Sequence, residues 1–174
     1  LIRERGVRIC HCPFSNCGKA VPDTPSLLKK GIPVGLGTDG AAHGGLSIWN
    51  EMKIFRSVMN VTHGAPLAEP AVMPAKKILD IAVKGGAACL GEEPATIAVG
   101  KRADLIGIDM DAPPLWVHGK ISNTLLESVG AGDVKDMIVG GRFLMRNREI
   151  LTLDEEKIRS GALAFEKGES RWSI

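Results

Sequence analysis

One acid stands inside a glycine-rich run, Val34-Gly35-Leu36-Gly37-Thr38-Asp39-Gly40. The apolar stretch 32–36 before it reads as a short buried strand, and a strong helical pattern begins near Leu46. Strand, acid-bearing loop, helix is the unit from which α/β barrels are built. In such barrels, chemistry sits where loops leave the C-terminal ends of the strands. Asp39 is placed as such a residue. The competing reading is local: aspartate also caps turns and helix starts.

The elements that would position Asp39 follow from the pattern around it. Residues 1–5 read as the end of a helix stopped by Gly6, and 7–12 as a strand ended by Pro13, which cannot donate to a sheet ladder. Residues 13–18 read as a loop and 26–30 as a short helix closed by Gly31. Short buried strands alternating with helices predict a parallel sheet under helices. In 46–60, Ile48, Met52, Phe55 and Met59 fall on one helical face with Trp49 beside them, which is a core stripe. Residues 62–72 read as a loop. Pro74 suits the first turn of another helix, Gly85-Gly86 suggest a break or kink, and Gly91 suggests a C-cap.

From Thr96 the texture changes to short strands and turns, with 125–129 as one such run. The pair Gly140-Gly141 lies between the apolar segments 134–139 and 142–145 and predicts a tight hairpin. Asp154 is placed to cap a last helix reaching about Lys167. A boundary near 92–95 gives two parts, an α/β part over 1–94 and a β-rich module with a C-terminal helix over 95–174.

Composition narrows the function classes. The 174 residues are 44% hydrophobic and 24% charged, with a formal net charge of +2. That is a globular composition, with enough chain for its own core. The basic residues are scattered, so no nucleic-acid partner is expected. No stretch approaches a membrane span or a signal peptide, so no membrane partner is expected either. The chain begins with Leu1, so its true N-terminus is expected upstream. Cys10 and Cys12 share one strand face, Cys17 is near and Cys89 is distant. Their spacing fits neither a zinc ribbon nor a redox pair, and reduced cysteines of a cytoplasmic protein are expected.

Several runs together resemble one family. They are His11-Cys12-Pro13-Phe14-Ser15-Asn16, Pro33-Val34-Gly35-Leu36-Gly37-Thr38-Asp39-Gly40-Ala41-Ala42, Asn50-Glu51-Met52-Lys53, Val99-Gly100-Lys101-Arg102-Ala103-Asp104-Leu105-Ile106, and the hairpin 134–143. In that order they resemble the late part of metal-dependent amidohydrolases. The nearest branch holds the S-adenosylhomocysteine and methylthioadenosine deaminases, guanine deaminase and the triazine chlorohydrolases. The resemblance implies the C-terminal portion of a (β/α)8 TIM barrel followed by a small composite β-sandwich. Residues 7–12 and 32–36 would be the seventh and eighth barrel strands. It implies a divalent metal, zinc first and iron second, with Asp39 both as ligand and as participant in proton transfer from the attacking water. Most of the other ligands would lie before Leu1, because the family's H-x-H pair, two further histidines and its catalytic glutamate are absent here.

The same resemblance puts His43 in the loop facing the active site, where it would contact substrate or be a polar loop residue. His43-Gly44 stands where relatives often carry Ser-Asn. Ser15 and Asn16 would lie at the mouth of the seventh strand, as substrate contacts or, for Asn16, as a brace for its own loop. His11 reads as a buried, hydrogen-bonded strand residue. Glu51 either cross-links loops or faces solvent. His63 and His118 earn no role, and Trp49, Trp116 and Trp172 read as packing. The implied activity is hydrolytic deamination of a nucleoside-like or heteroaromatic amine. Two alternatives stay open: a cyclic amide hydrolase, and a non-catalytic scaffold or oligomerisation module. Expected partners are a small-molecule substrate and either a second copy of the chain or the missing N-terminal part.

Overall fold

The computed structural model describes residues 1–40, 45–69, 71–116 and 119–168. The fold is mixed α/β. Its first elements are strand β1 (Ile9–His11), a one-turn helix α1 (Pro13–Asn16), helix α2 (Thr24–Lys29), strand β2 (Val34–Leu36) and helix α3 (Ile48–Met59). Then come helices α4 (Ala75–Asp80) and α5 (Gly86–Leu90), strand β3 (Leu105–Ile108) and helix α6 (Ile121–Glu127). Strands β4 (Val134–Val139), β5 (Arg142–Arg146) and β6 (Glu149–Ile150) and helix α7 (Glu155–Glu166) close the order. Among the described residues no helix is long and apolar enough to cross a membrane.

Strands β1 and β2 pair in parallel, with Ile9, Cys10 and His11 opposite Val34, Gly35 and Leu36. The core is built on them. Val34, Leu36, Met52, Phe55, Met59, Ile78, Ile81 and Leu126 form one buried cluster. Helix α3 starts where Ser47 accepts the Asn50 N–H at 3.3 Å, a standard N-cap. Its buried face is Glu51, Met52, Phe55 and Met59. Ile48, expected on that face, is 36% exposed.

Five expectations change. Residues 13–18 are not all loop, since Pro13 opens the one-turn helix α1, proline being suited to a first turn. Residues 1–5 form turns rather than a helix end. Of the stretch 62–72 expected as loop, the first part continues α3 through a π turn (Asn60–Gly64) and a 3-10 turn (Ala65–Leu67), while 68–69 and 71–72 are turn and loop as expected. Pro74 is the N-cap of α4 and not a residue of its first turn. Gly85-Gly86 do not break the helix. A π turn (Ile81–Gly85) joins α4 to α5, and the glycines let the helix backbone rest on β2. A Cβ built on Gly85 would lie 1.9 Å from the Val34 carbonyl oxygen, and one on Gly35 would lie 3.0 Å from Gly85 O.

The chain forms two compact units, each drawn from two stretches of sequence. One comprises 1–101 with 110–133, the other 102–109 with 134–174. The segment 125–129 is not a strand run: it belongs to α6 and its end. Trp49 Nε1 donates to Leu125 O at 2.9 Å, and Lys53 Nζ donates to Val129 O at 3.0 Å. Leu126 and Val129 are fully buried, so an apolar run that resembles a strand locally is claimed by the helices of the first unit. In the second unit the antiparallel order is β3-β4-β5-β6. Gly140 and Gly141 both have positive φ (56° and 80°), as a two-residue turn matching strand twist requires. Asp154 caps α7 by accepting the Lys157 N–H at 2.9 Å, and Gly91 ends α5 at φ 81°, both as expected.

Candidate active site at the end of strand β2

Asp39 follows β2 directly, in the loop that leaves the C-terminal end of that strand. Its φ is 54°, a left-handed conformation uncommon outside glycine but more accessible to aspartate than to most side chains. A contact to its carboxylate comes from the neighbouring strand's loop. Ser15, 5% exposed in α1, donates its hydroxyl to Asp39 Oδ2 at 2.6 Å. Lys19 Nζ in turn donates to Ser15 Oγ at 3.5 Å. The serine oxygen thus accepts from the ammonium and passes its own proton toward the carboxylate, a charge-assisted bond.

Asn16 turns away from this contact: its Oδ1 accepts the Cys12 N–H at 3.3 Å, which braces α1 from within. Glu51 is the side chain whose site role a reading by helical face obscures. It is 1% exposed, and its Oε2 accepts the Phe14 N–H at 2.9 Å, so of its two expected placements the loop cross-link is the one formed. His43, the remaining candidate, lies outside the described residues, as do His118 and Trp172.

His11 lies under α3, 1% exposed, with its ring edge-on to Phe55 at 5.5 Å. Buried it is, but Nδ1 has no hydrogen-bond partner among the described residues. Burial lowers its pKa from the ordinary 6.5. Above about 6.5 the ring is neutral folded and unfolded, and its titration contributes nothing to stability. As pH falls below that value the unfolded chain takes up a proton before the folded one does, so stability is lost until the folded pKa is reached. The drop in melting temperature between about pH 7 and about pH 5 is expected to be smaller in His11→Met than in wild type. Equal drops would refute the assignment.

The four cysteines carry no disulfide. Cys10 and Cys12 share a face, and a Cβ on Gly37 would meet their sulfurs at 2.7 and 3.1 Å. Partial burial, then Cys12, then Cys89, raise the Cys10 pKa, which keeps that thiol protonated and poorly nucleophilic at neutral pH. Among the described residues no group of three or more His, Cys, Asp and Glu side chains could hold a metal ion. A zinc site wants three or four donors. Asp39 fits as one donor, and the residues present do not fit as a site.

A family model described as the amidohydrolase family matches residues 1–144. A 5'-deoxyadenosine deaminase of Methanosarcina mazei is 35% identical over 161 residues, covering 91% of this chain and 36% of the relative. A 5-methylthioadenosine/S-adenosylhomocysteine deaminase of Dictyoglomus thermophilum is 38% identical over 162 residues, covering 91% and 37%. Among solved structures, an adenosine deaminase from Xanthomonas campestris with bound zinc superposes with a TM-score of 0.86 at 26% identity, covering 96% of this chain and 38% of that one. An atrazine chlorohydrolase from Arthrobacter aurescens complexed with zinc gives 0.77 at 25% identity, covering 92% and 36%. The chain thus spans little more than a third of the length of these relatives. An acid after a parallel strand, a serine bonded to it from the adjacent loop, and a match over most of the length lead to one assignment: the chain belongs to the amidohydrolase family.

Proposed function

We propose that these residues form the C-terminal part of an enzyme that hydrolytically deaminates a nucleoside-like or heteroaromatic amine. The observation that carries the reading is Asp39, held at the C-terminal end of β2 by Ser15 at 2.6 Å, in a chain whose relatives are named as deaminases of adenosine-like compounds. In this reading β1 and β2 are the last two strands of a (β/α)8 barrel, and the sheet β3-β4-β5-β6 is part of a composite sandwich. The remaining barrel strands and metal donors come from residues outside these 174, with which the chain packs in a cytoplasmic enzyme.

The chemistry assigned to this chain is proton movement at the Asp39 carboxylate. Were a divalent cation held by Asp39 together with donors from outside these residues, it would make a bound water more acidic. Asp39 accepts the proton of the attacking water as its oxygen adds to the ring carbon bearing the amino group. That proton goes to the departing nitrogen, the carbon–nitrogen bond breaks and ammonia leaves; the second water proton, on the hydroxyl that becomes the ring carbonyl, ends on the ring nitrogen that took the electron pair of its former double bond. The Ser15 hydroxyl, bonded to Oδ2, keeps the carboxylate aimed during both transfers. His43, four residues after Asp39 in the sequence, is assigned to the substrate.

The test is a substrate panel on the longer protein that carries this segment with its upstream residues. 5'-Deoxyadenosine and S-adenosylhomocysteine are expected to release ammonia, and chelation is expected to stop it. Ring opening of a cyclic amide such as a hydantoin, with no ammonia from either nucleoside, would replace this reading with that of a cyclic amide hydrolase.

A further inference from the structure

We propose that Glu51 is a positioning residue for Asp39, acting at a distance through the one-turn helix α1. Four observations connect the two. Glu51 is fixed by the core: it sits on the same buried face of α3 as Met52, Phe55 and Met59. Its Oε2 accepts the Phe14 N–H at 2.9 Å, across 37 residues of sequence. That amide belongs to the first turn of α1, whose N–H groups have no acceptor within the helix. The next residue is Ser15, whose hydroxyl donates to Asp39 Oδ2 at 2.6 Å, and Asp39 sits at a left-handed φ of 54°.

A single helical turn has no stability of its own. Local braces, such as Asn16 on the Cys12 N–H, close the turn but do not set where it lies relative to β2. Glu51 does, because among the described residues its bond is the polar side-chain contact of α1 that reaches from the turn to the core helix. Packing gives no reason for an acid here. A methionine has similar length and would fill the same space without the cost of burying a carboxylate. The catalytic weight of this inference rests on the proposed role of Asp39. The positioning itself does not, so the test reads Asp39 directly and without turnover.

The experiment is NMR of the isotope-labelled 174-residue chain at fixed neutral pH, following the Asp39 carboxyl carbon and the backbone shifts that report its left-handed conformation. Ser15→Ala and Glu51→Met are expected to move these signals in the same direction. The double variant is expected to move them no further than the larger single effect, because both substitutions cut one path. Glu51→Gln, which keeps an acceptor for Phe14, is expected to restore the wild-type signals. Glu51→Asp, which keeps the charge but withdraws the acceptor, is expected to shift them partway and serves where Glu51→Met fails to fold. Unchanged signals of the β4–β5 hairpin and an unchanged circular dichroism spectrum establish that the fold is intact. A folded Glu51→Met or Glu51→Asp with Asp39 unmoved overturns the proposal, as does unfolding of both, which would make Glu51 a support of the fold alone. Failure of the deaminase assay with these shifts present would overturn the proposed function and leave the positioning intact.

Discussion

Gly85→Ala is expected to lower stability by about 3 kcal/mol, while Gly86→Ala, one residue on, leaves it unchanged or raises it by about 1 kcal/mol. Both glycines have ordinary helical φ values, −65° and −58°. Neither is there for conformational freedom, and alanine satisfies both backbones. The difference is what a Cβ meets. At Gly85 it would overlap the Val34 carbonyl, with the oxygen at 1.9 Å and the carbon at 2.9 Å. Both are atoms of the strand that carries the site, and backbone cannot swing aside as a side chain can. At Gly86 nothing lies within 4 Å, and alanine is the better helix former. Relief at position 85 requires lifting the helix off β2 at its contact with the turn Ile81–Gly85 and α5. A loss of that size corresponds to a melting temperature lower by roughly 6–12 °C. Thermal melts of the two variants side by side measure it, and equal melting temperatures would show that the helix does not rest on β2 at Gly85.

The second large effect concerns activity. Asp39→Asn, made in the longer protein, is expected to lower kcat on the order of 10²–10⁴-fold with the fold retained. Asparagine tolerates left-handed backbone as aspartate does, and its amide oxygen still accepts the Ser15 hydroxyl. What it loses is the charge and the ability to take the water's proton. Ser15→Ala leaves the carboxylate in place but releases its aim, and is expected to cost less, about tenfold. Steady-state kinetics with an adenosine-like substrate separates the two. An Asp39→Asn enzyme with near-normal kcat would move the proton transfer to another residue, with Asp39 reduced to a turn residue.

Much of the local structure was legible because its causes are local. Gly140-Gly141 forces a hairpin by backbone geometry, Asp154 caps the next helix through its own side chain, and the Met52, Phe55, Met59 stripe repeats at the helical period. Asp39 stood out for the same reason, as an acid just past a short apolar strand. Residues 125–129 were misleading because a short apolar run has no period of its own. It became part of a helix and its end only because Trp49 and Lys53 of α3 hold its carbonyls. Gly85-Gly86 misled in the opposite way: the pair looks like a break, and the helix continues because β2 needs the space.

By itself the sequence determined the alternation of strands and helices, the hairpin, the caps, the family resemblance and the acid at the end of β2. Only the tertiary structure decided what holds that acid. Ser15 meets Asp39 across 24 residues and Glu51 meets Phe14 across 37, and no helical or strand period links such positions. Those contacts exist because β1 and β2 pair in parallel and α3 packs across them, bringing the loops at their ends within hydrogen-bonding distance. The burial of Glu51 was decided there too. On the helix alone it is one more charged residue, and it becomes a buried acceptor because α1 covers it and offers an N–H.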